Sequence, residues 1–300
     1  MGQGTTVRVD GRELRLSNLD KVLYPAAAFR KADVVDYYRR IAPVLLPHLA
    51  GRPPTLVRAP DGPAGERFFE KRCPPHHPEW VPTAVVVTGG GHRGCVIEEL
   101  AALVWLANLA ALELHTHQWT VADPWHPTAV VLDLDPGPGA SVLDCCRVAL
   151  ELHGVLDRLG LELMVKTSGN KGLHLSIPLN TTDATDDDTK QFALALGQLL
   201  EARDPKRVTV NMAKEQRSGR VFVDWSQNDN HKTTIAPYSL RIADRPRVST
   251  PLTWDEIDDA LAGGDADALS FDAPDACARV EQHGDLYERN LTVQQELPRL

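Results

Sequence analysis

The stretch Ala129 to Ser141, AVVLDLDPGPGAS, constrains this chain more than any other. An apolar run leads into two aspartates one residue apart, and a Pro/Gly turn follows. Side chains alternate faces along a strand, so Asp133 and Asp135 share one face while Leu132 and Leu134 point into the core. Two carboxylates that close raise each other's pKa unless a cation lies between them, and an oxygen-bound divalent ion is the simplest compensation. The alternative is a polar strand end before an ordinary Asp-Pro-Gly turn.

A second apolar strand, in GRVFVDWSQN, also ends in a carboxylate, Asp224. Three aspartates at strand ends suit two ions about 4 Å apart and phosphoryl or nucleotidyl transfer. In VKTSGNKGLHLSIPL a turn between two strands carries Ser168, Gly169, Asn170, Lys171 and Gly172. Glycines there let backbone N–H groups converge on an anion, and Lys171 adds charge. A Walker A loop is excluded, because GxxxxGK[ST] is absent and a strand follows; a plain Gly-rich hairpin is the alternative. His174 reads either as a nucleotide contact or as a core histidine. Lys232 and Arg241 in HKTTIAPYSLR read either as a triphosphate clamp or as surface cations.

The net charge of −9 argues against indiscriminate binding to polyanions, although a local basic groove survives on many acidic proteins. No leader-like start is present, and the apolar run Leu100 to His115 is shorter than the ~20 residues that span a bilayer. It reads as one core helix, and the protein is expected to be cytoplasmic with no membrane partner. The five cysteines, scattered without a CxxC, fit reduced thiols better than a disulfide framework. In CPPHH, Cys73, His76 and His77 lack a second ligand pair for zinc and read as a Pro-rich surface turn.

The remaining pattern predicts an Asp-Gly hairpin in TTVRVDGRELRLS, then a helix over ADVVDYYRRIAPVLLPHLAG broken at Pro43. A strand in PTLVRAP and two short strands around the Gly-rich TGGGHRG come next. Further on, helices are expected over residues 141–159 and 187–203, strands near residues 161–165 and 173–178 and in RVTVN and VFVDW, and a short helix capped by Thr253. Without regular βαβ alternation this is a mixed α/β (α+β) chain: one domain over residues 1–300, with room for two lobes, and no ligase or nuclease domain.

The ordered conjunction of DLDPG, TSGNKGLHL and VFVDWSQN...KTTIAPYSLR resembles the polymerase domain of bacterial ATP-dependent DNA ligase D, of the archaeo-eukaryotic primase superfamily. DKVLYP, FFEK, ALELHTHQW and GDLYERNL extend the resemblance over nearly the whole chain. It implies a primase-polymerase fold with an RRM-like catalytic sheet. It also implies addition of ribonucleotides, in preference to deoxyribonucleotides, to primer 3′ ends at gaps and double-strand breaks in non-homologous end joining. The implied cofactors are two Mn2+ (or Mg2+) ions, the substrates NTP or dNTP, and the partners 5′-phosphorylated DNA, Ku and a DNA ligase in the bacterial nucleoid.

Carried over residue by residue, the resemblance makes Asp133, Asp135 and Asp224 the catalytic metal ligands. Ser168, Lys171, Lys232 and Arg241 grip the triphosphate, with His115 and Gln227 in the nucleotide pocket. Phe68 and Phe69 form a stacking platform, their alternative being ordinary core. Lys21 and Lys31 hold the 5′-phosphate across a gap, Arg58 contacts DNA, and Arg217 lies on a loop that moves as substrates assemble. Val57 stands where some relatives carry lysine, TGGGHRG departs from the family's end-bridging loop, and no lysine-x-Asp-Gly ligase motif occurs. The competing readings are a two-metal nuclease, since metal-bound aspartates activate water as well as a 3′-OH, and a non-catalytic DNA-end-binding scaffold.

Overall fold

The computed structural model describes residues 4–88 and 90–298; Gly89 of TGGGHRG lies outside them. The chain divides into two compact units, each drawn from three stretches of sequence. The first comprises Met1–His117, Thr233–Ser249 and Phe271–Asp285, and the second Gln118–Lys232, Thr250–Ser270 and Leu286–Leu300.

In the first unit, strands Thr5–Val9 and Arg12–Leu16 form the expected hairpin, whose tight turn takes positive φ at Asp10 (46°) and Gly11 (80°). The helix Lys31–Leu49 runs unbroken through Pro43 and Pro47, against the expected break. Both prolines lie on its exposed face, where the carbonyls they leave unbonded can be hydrated. The opposite face buries Val34, Ile41, Leu45 and Leu49 completely. At about 1.5–3 kcal/mol per side chain, burial of these four offsets a cost of ~3 kcal/mol at each of the two prolines.

The apolar run after Glu99 is not one helix. It is helical over Leu100–Asn108, turns at Ala110 (φ 55°), and continues as the strand Ala111–Thr116. That strand pairs with Thr55–Arg58 on one side and Thr234–Ile235 on the other, and Phe68–Glu70 forms the far edge of the four-stranded sheet. A run buried on every side carries no period to separate helix from strand, so partners far away in sequence decide.

Cys73 and Cys95 form a disulfide, which corrects the expectation of five reduced thiols. A 22-residue separation carries no local signature. The hydrogen bond from Cys73 N–H to Arg93 O (2.8 Å), at the base of the hairpin Thr83–Val86/His92–Cys95, brings the two Cα atoms to 4.7 Å. Cys145, Cys146 and Cys277 are buried free thiols.

The second unit is built on a six-stranded sheet ordered Val208–Thr209, Val221–Asp224, Ala129–Pro136, Leu173–Pro178, Met164–Thr167 and Pro251–Leu252. Its inner four strands and the helices Val142–Arg158 and Asp186–Arg203 follow one another as βαββαβ. Those four strands, each antiparallel to the next among the four, stand in the spatial order fourth, first, third, second, which is the RRM-like arrangement. Both helices pack against the central strand Ala129–Pro136. Where Val221–Asp224 stops, Asn228 takes over its pairing: Oδ1 accepts from Val131 N–H at 2.8 Å and Nδ2 donates to Val131 O at 2.7 Å. Among the described residues no helix is long and apolar enough to cross a membrane.

Candidate active site

The sheet of the second unit aligns polar residues across four strands. Asp133 stands opposite Asp224 on one neighbouring strand and opposite His174 on the other, and His174 stands opposite Lys166. Residues opposite one another share a face, so Asp224, Asp133, His174 and Lys166 form one transverse row, with Asp135 two residues along from Asp133. His174 Nε2 lies 3.3 Å from Asp133 Oδ1, and Lys166 Nζ lies 3.1 Å from His174 Nδ1. The charges at the end of DLD therefore meet a histidine and a lysine supplied by the strands beyond. Lys166, 3% exposed, escaped the sequence reading because it precedes the turn that drew attention.

Asp224 is held on both oxygens: Oδ1 accepts from Ser226 N–H (2.9 Å) and Ser226 Oγ (2.5 Å), and Oδ2 from Gln227 Nε2 (2.9 Å). Lys232 Nζ in turn donates to Ser226 Oγ, so Gln227 and Lys232 both belong to the surroundings of Asp224. Among the described residues no group of three or more His, Cys, Asp or Glu closes around a metal position. Carboxylate oxygens nevertheless suit hard divalent ions, which polymerase-type sites hold by one or two carboxylates with substrate phosphates and water completing the shell. The donor set fits a metal site assembled with substrate rather than a preformed cage.

The TSGNKG turn adjoins the aspartate strand directly. A Cβ at Gly172 would overlap Leu134 O, so only glycine lets the turn pack there. Ser168 Oγ accepts from Asn170 N–H (3.3 Å) and Gly172 N–H (3.1 Å), closing the turn on itself and leaving Lys171 exposed. Across the strand end, Gly137 N–H donates to Arg220 O (2.8 Å) and Gly219 N–H to Pro138 O (2.7 Å), seating the segment that carries Arg217 on the DPGPG turn. The Arg217 guanidinium lies 3.6 Å from the Phe222 ring centroid, and Nη2 donates to Met212 O at 2.6 Å.

The first unit carries the other candidates. His115 Nε2 lies 2.9 Å from Glu113 Oε2, Arg241 Nε lies 3.4 Å from Glu113 Oε1, and Ile242 N–H donates to the same oxygen at 2.8 Å. Burial by itself pushes the Glu113 carboxyl up, but the His115 hydrogen bond and the charge of Arg241 prevail and hold it below the usual carboxylate range. Glu113 thus anchors two candidate nucleotide residues. In the sequence it stands only as the glutamate of ALELH at the end of a run read as helix; the strand Ala111–Thr116 is what puts it on the same face as His115. Phe69 is 73% and Phe68 39% exposed, which removes the core alternative for both and opens Phe69 to a stacking partner.

Lys21, Lys31 and Arg58 also gather in the first unit. Lys31 opens the helix Lys31–Leu49, its N–H donates to Lys21 O (2.8 Å) and its Nζ to Ser17 O (2.7 Å). Burial first, then the charges of Lys21 and Arg58, lowers the Lys31 ammonium from 10.5 to about 8. Lys21 pairs with Asp61, and Arg58 bonds Glu70 Oε1 (2.6 Å) and Leu109 O (2.8 Å). A lysine whose protonation is depressed by neighbouring cations marks a site for an anion.

Residues 30–287 match the family described as LigD, primase-polymerase domain. The chain is 43% identical over 276 residues to the multifunctional non-homologous end joining protein LigD of Mycolicibacterium smegmatis, covering 91% of this chain and 35% of that protein. It is 41% identical over 298 residues to the multifunctional non-homologous end joining DNA repair protein LigD of Mycobacterium tuberculosis, with coverage of 96% and 38%. It therefore spans little more than a third of the length of these relatives. The solved polymerase domain from Mycobacterium tuberculosis ligase D in complex with DNA is similar in fold, with a TM-score of 0.87 and 40% identity over 94% of this chain and 99% of that one. The βαββαβ sheet with its transverse carboxylate row is thus a polymerase framework of the nucleotidyltransferase type, and the chain belongs to the LigD primase-polymerase domain family.

Proposed function

We propose that this chain extends primer 3′ ends at gaps and double-strand breaks during non-homologous end joining, inserting ribonucleotides in preference to deoxyribonucleotides with Mn2+ (or Mg2+). The observation that carries the reading is the register that sets Asp133 opposite Asp224, with the glycine-dependent Ser168–Lys171 turn packed against the same strand. A carboxylate row beside an anion-binding turn suits a nucleoside triphosphate better than water-driven hydrolysis.

When bound, divalent ions lower the pKa of the attacking 3′-OH and offset charge on the departing pyrophosphate. Asp133, Asp135 and Asp224 would hold them, with Ser226 and Gln227 fixing the direction of the Asp224 oxygens. In the second unit Ser168, Lys171 and Lys232 would grip phosphate oxygens; in the first, Arg241 and His115, both held by Glu113, are nucleotide-binding candidates. Exposed Phe69 supports base stacking, worth about 1–3 kcal/mol per base. The cluster of Lys21, Lys31 and Arg58 supports capture of a 5′-phosphate, which would direct an acidic protein to breaks rather than to intact duplex. Ku and a DNA ligase are the partners this role implies, and the bacterial nucleoid its location.

The test is a short-gapped duplex, with and without a 5′-phosphate, incubated with Mn2+ and either ribo- or deoxyribonucleotides while primer length is followed. Phosphate-stimulated extension that favours ribonucleotides and is lost in Asp133→Ala, with DNA binding kept, supports the proposal. Primer shortening would establish a nuclease instead, and tight binding with no change in length a scaffold.

A further inference from the structure

The end of the transverse row furthest from Asp224 is unexplained by metal or phosphate binding. Lys166 is 3% exposed, in the strand Met164–Thr167, with its ammonium directed along the sheet at His174 Nδ1 (3.1 Å). An ammonium has three donors and no acceptor, so the ring nitrogen it meets must accept. A neutral imidazole that accepts at Nδ1 carries its proton on Nε2, the nitrogen 3.3 Å from Asp133 Oδ1.

We propose that Lys166 is a positioning residue: it donates to His174 Nδ1 and thereby fixes the Nε2–H tautomer, which keeps the proton on the nitrogen that lies 3.3 Å from Asp133 Oδ1. Four strands in register make this possible, since each of the residues is the cross-strand neighbour of the next. The relation is that of an outer-shell residue, which acts on a metal ligand through the group beside that ligand. The alternative, a lysine that only fills space between strands, leaves the tautomer to chance. The link to metal rests on the reading of Asp133 as a metal ligand; the tautomer assignment does not.

The test uses the whole 15N-labelled chain free of metal. Long-range 1H–15N correlation of the imidazole rings separates protonated from bare nitrogens, and His174→Gln identifies the His174 signals by their loss. The expected result is a protonated Nε2 and a bare Nδ1 for His174, preserved in Lys166→Arg and lost to a mixture of forms in Lys166→Met. An Nδ1–H tautomer in the unmodified chain overturns the proposal with no variant needed, as do His174 signals unchanged in Lys166→Met. In a second measurement, Mn2+ is titrated calorimetrically with a non-hydrolysable nucleotide present. Affinity should fall roughly 10- to 100-fold in Lys166→Met, the usual loss for an outer-shell partner, and recover in Lys166→Arg. Equal affinity in Lys166→Met overturns the link from His174 to the metal ligand. Failure of the unmodified chain to bind Mn2+ at all would instead sink the metal reading of Asp133 and leave the tautomer result standing.

Discussion

Glu113 Oε2 and His115 Nε2 lie 2.9 Å apart on one face of the strand Ala111–Thr116, and the other oxygen of the same carboxylate meets Arg241 Nε at 3.4 Å. Because Glu113 is held ionised, it can only accept, so His115 Nε2 donates to it and the ring is held in place. Glu113→Gln keeps the shape and an acceptor for Ile242 N–H but removes the charge. A hydrogen bond to a charged group contributes about 1.5–3 kcal/mol, so the nucleotide KM should rise roughly tenfold or more, with kcat changed less. Steady-state kinetics at saturating primer measure this; an unchanged KM would show that Glu113 serves only the fold.

Lys31 gives the 5′-phosphate site a pH dependence. With its ammonium lowered to about 8, the free protein carries it mostly protonated at about pH 7 and mostly neutral at about pH 9. The phosphate binds the protonated form, so the preference for phosphorylated gaps should weaken as pH rises through this window. Lys31→Met should remove both the preference and its pH dependence. It should also stabilise the fold at neutral pH, since a folded pKa below the unfolded one means that the charged form is disfavoured on folding at every pH below 10.5. Binding of gapped duplexes at several pH values, with thermal melts, checks both signs.

Gly172→Ala tests the contact between the phosphate turn and the aspartate strand. The new methyl would overlap the Leu134 carbonyl, so turn or strand must shift. Extension activity should fall at least 100-fold, on the scale of an ångström-level misplacement of reacting groups, while the Tm drops. Full activity with an unaltered Tm would mean that the turn is not seated as described.

Asn228→Leu removes the side chain that stands in for a strand opposite Val131. Both Val131 backbone groups would be left buried without that partner, at about 1–3 kcal/mol each. Urea unfolding should show that loss; a loss below about 0.5 kcal/mol, the scale of a neutral surface change, would contradict the account.

The disulfide is checked by counting thiols. Denatured, unreduced protein should titrate as the three free thiols of Cys145, Cys146 and Cys277, and as all five after reduction. Closing a loop across a 22-residue separation contributes about 3 kcal/mol in the chain-entropy account, so Cys73→Ser should lower the Tm measurably. Five thiols without reductant would restore the expectation of reduced cysteines.

The sequence by itself determined those features whose cause is local. Alternation in AVVLDLD put two carboxylates on one strand face, Asp10-Gly11 made a hairpin turn, and Thr253 capped a helix through Glu256 N–H. The order of three short motifs carried the family. Tertiary structure decided whatever depends on a partner distant in the chain. The apolar run from Leu100 became helix and then strand because Thr55–Arg58 and Thr234–Ile235 pair with its second half. The helix Lys31–Leu49 ran through its prolines because its other face was worth burying. Cys73 found Cys95 through a hairpin base, and Glu113 gained its role only when folding set Arg241 against it. Side-chain period and turn chemistry act within a few residues and can be read along the chain. Cross-strand register and charge pairing join residues tens to a hundred positions apart, and only the folded backbone makes them neighbours.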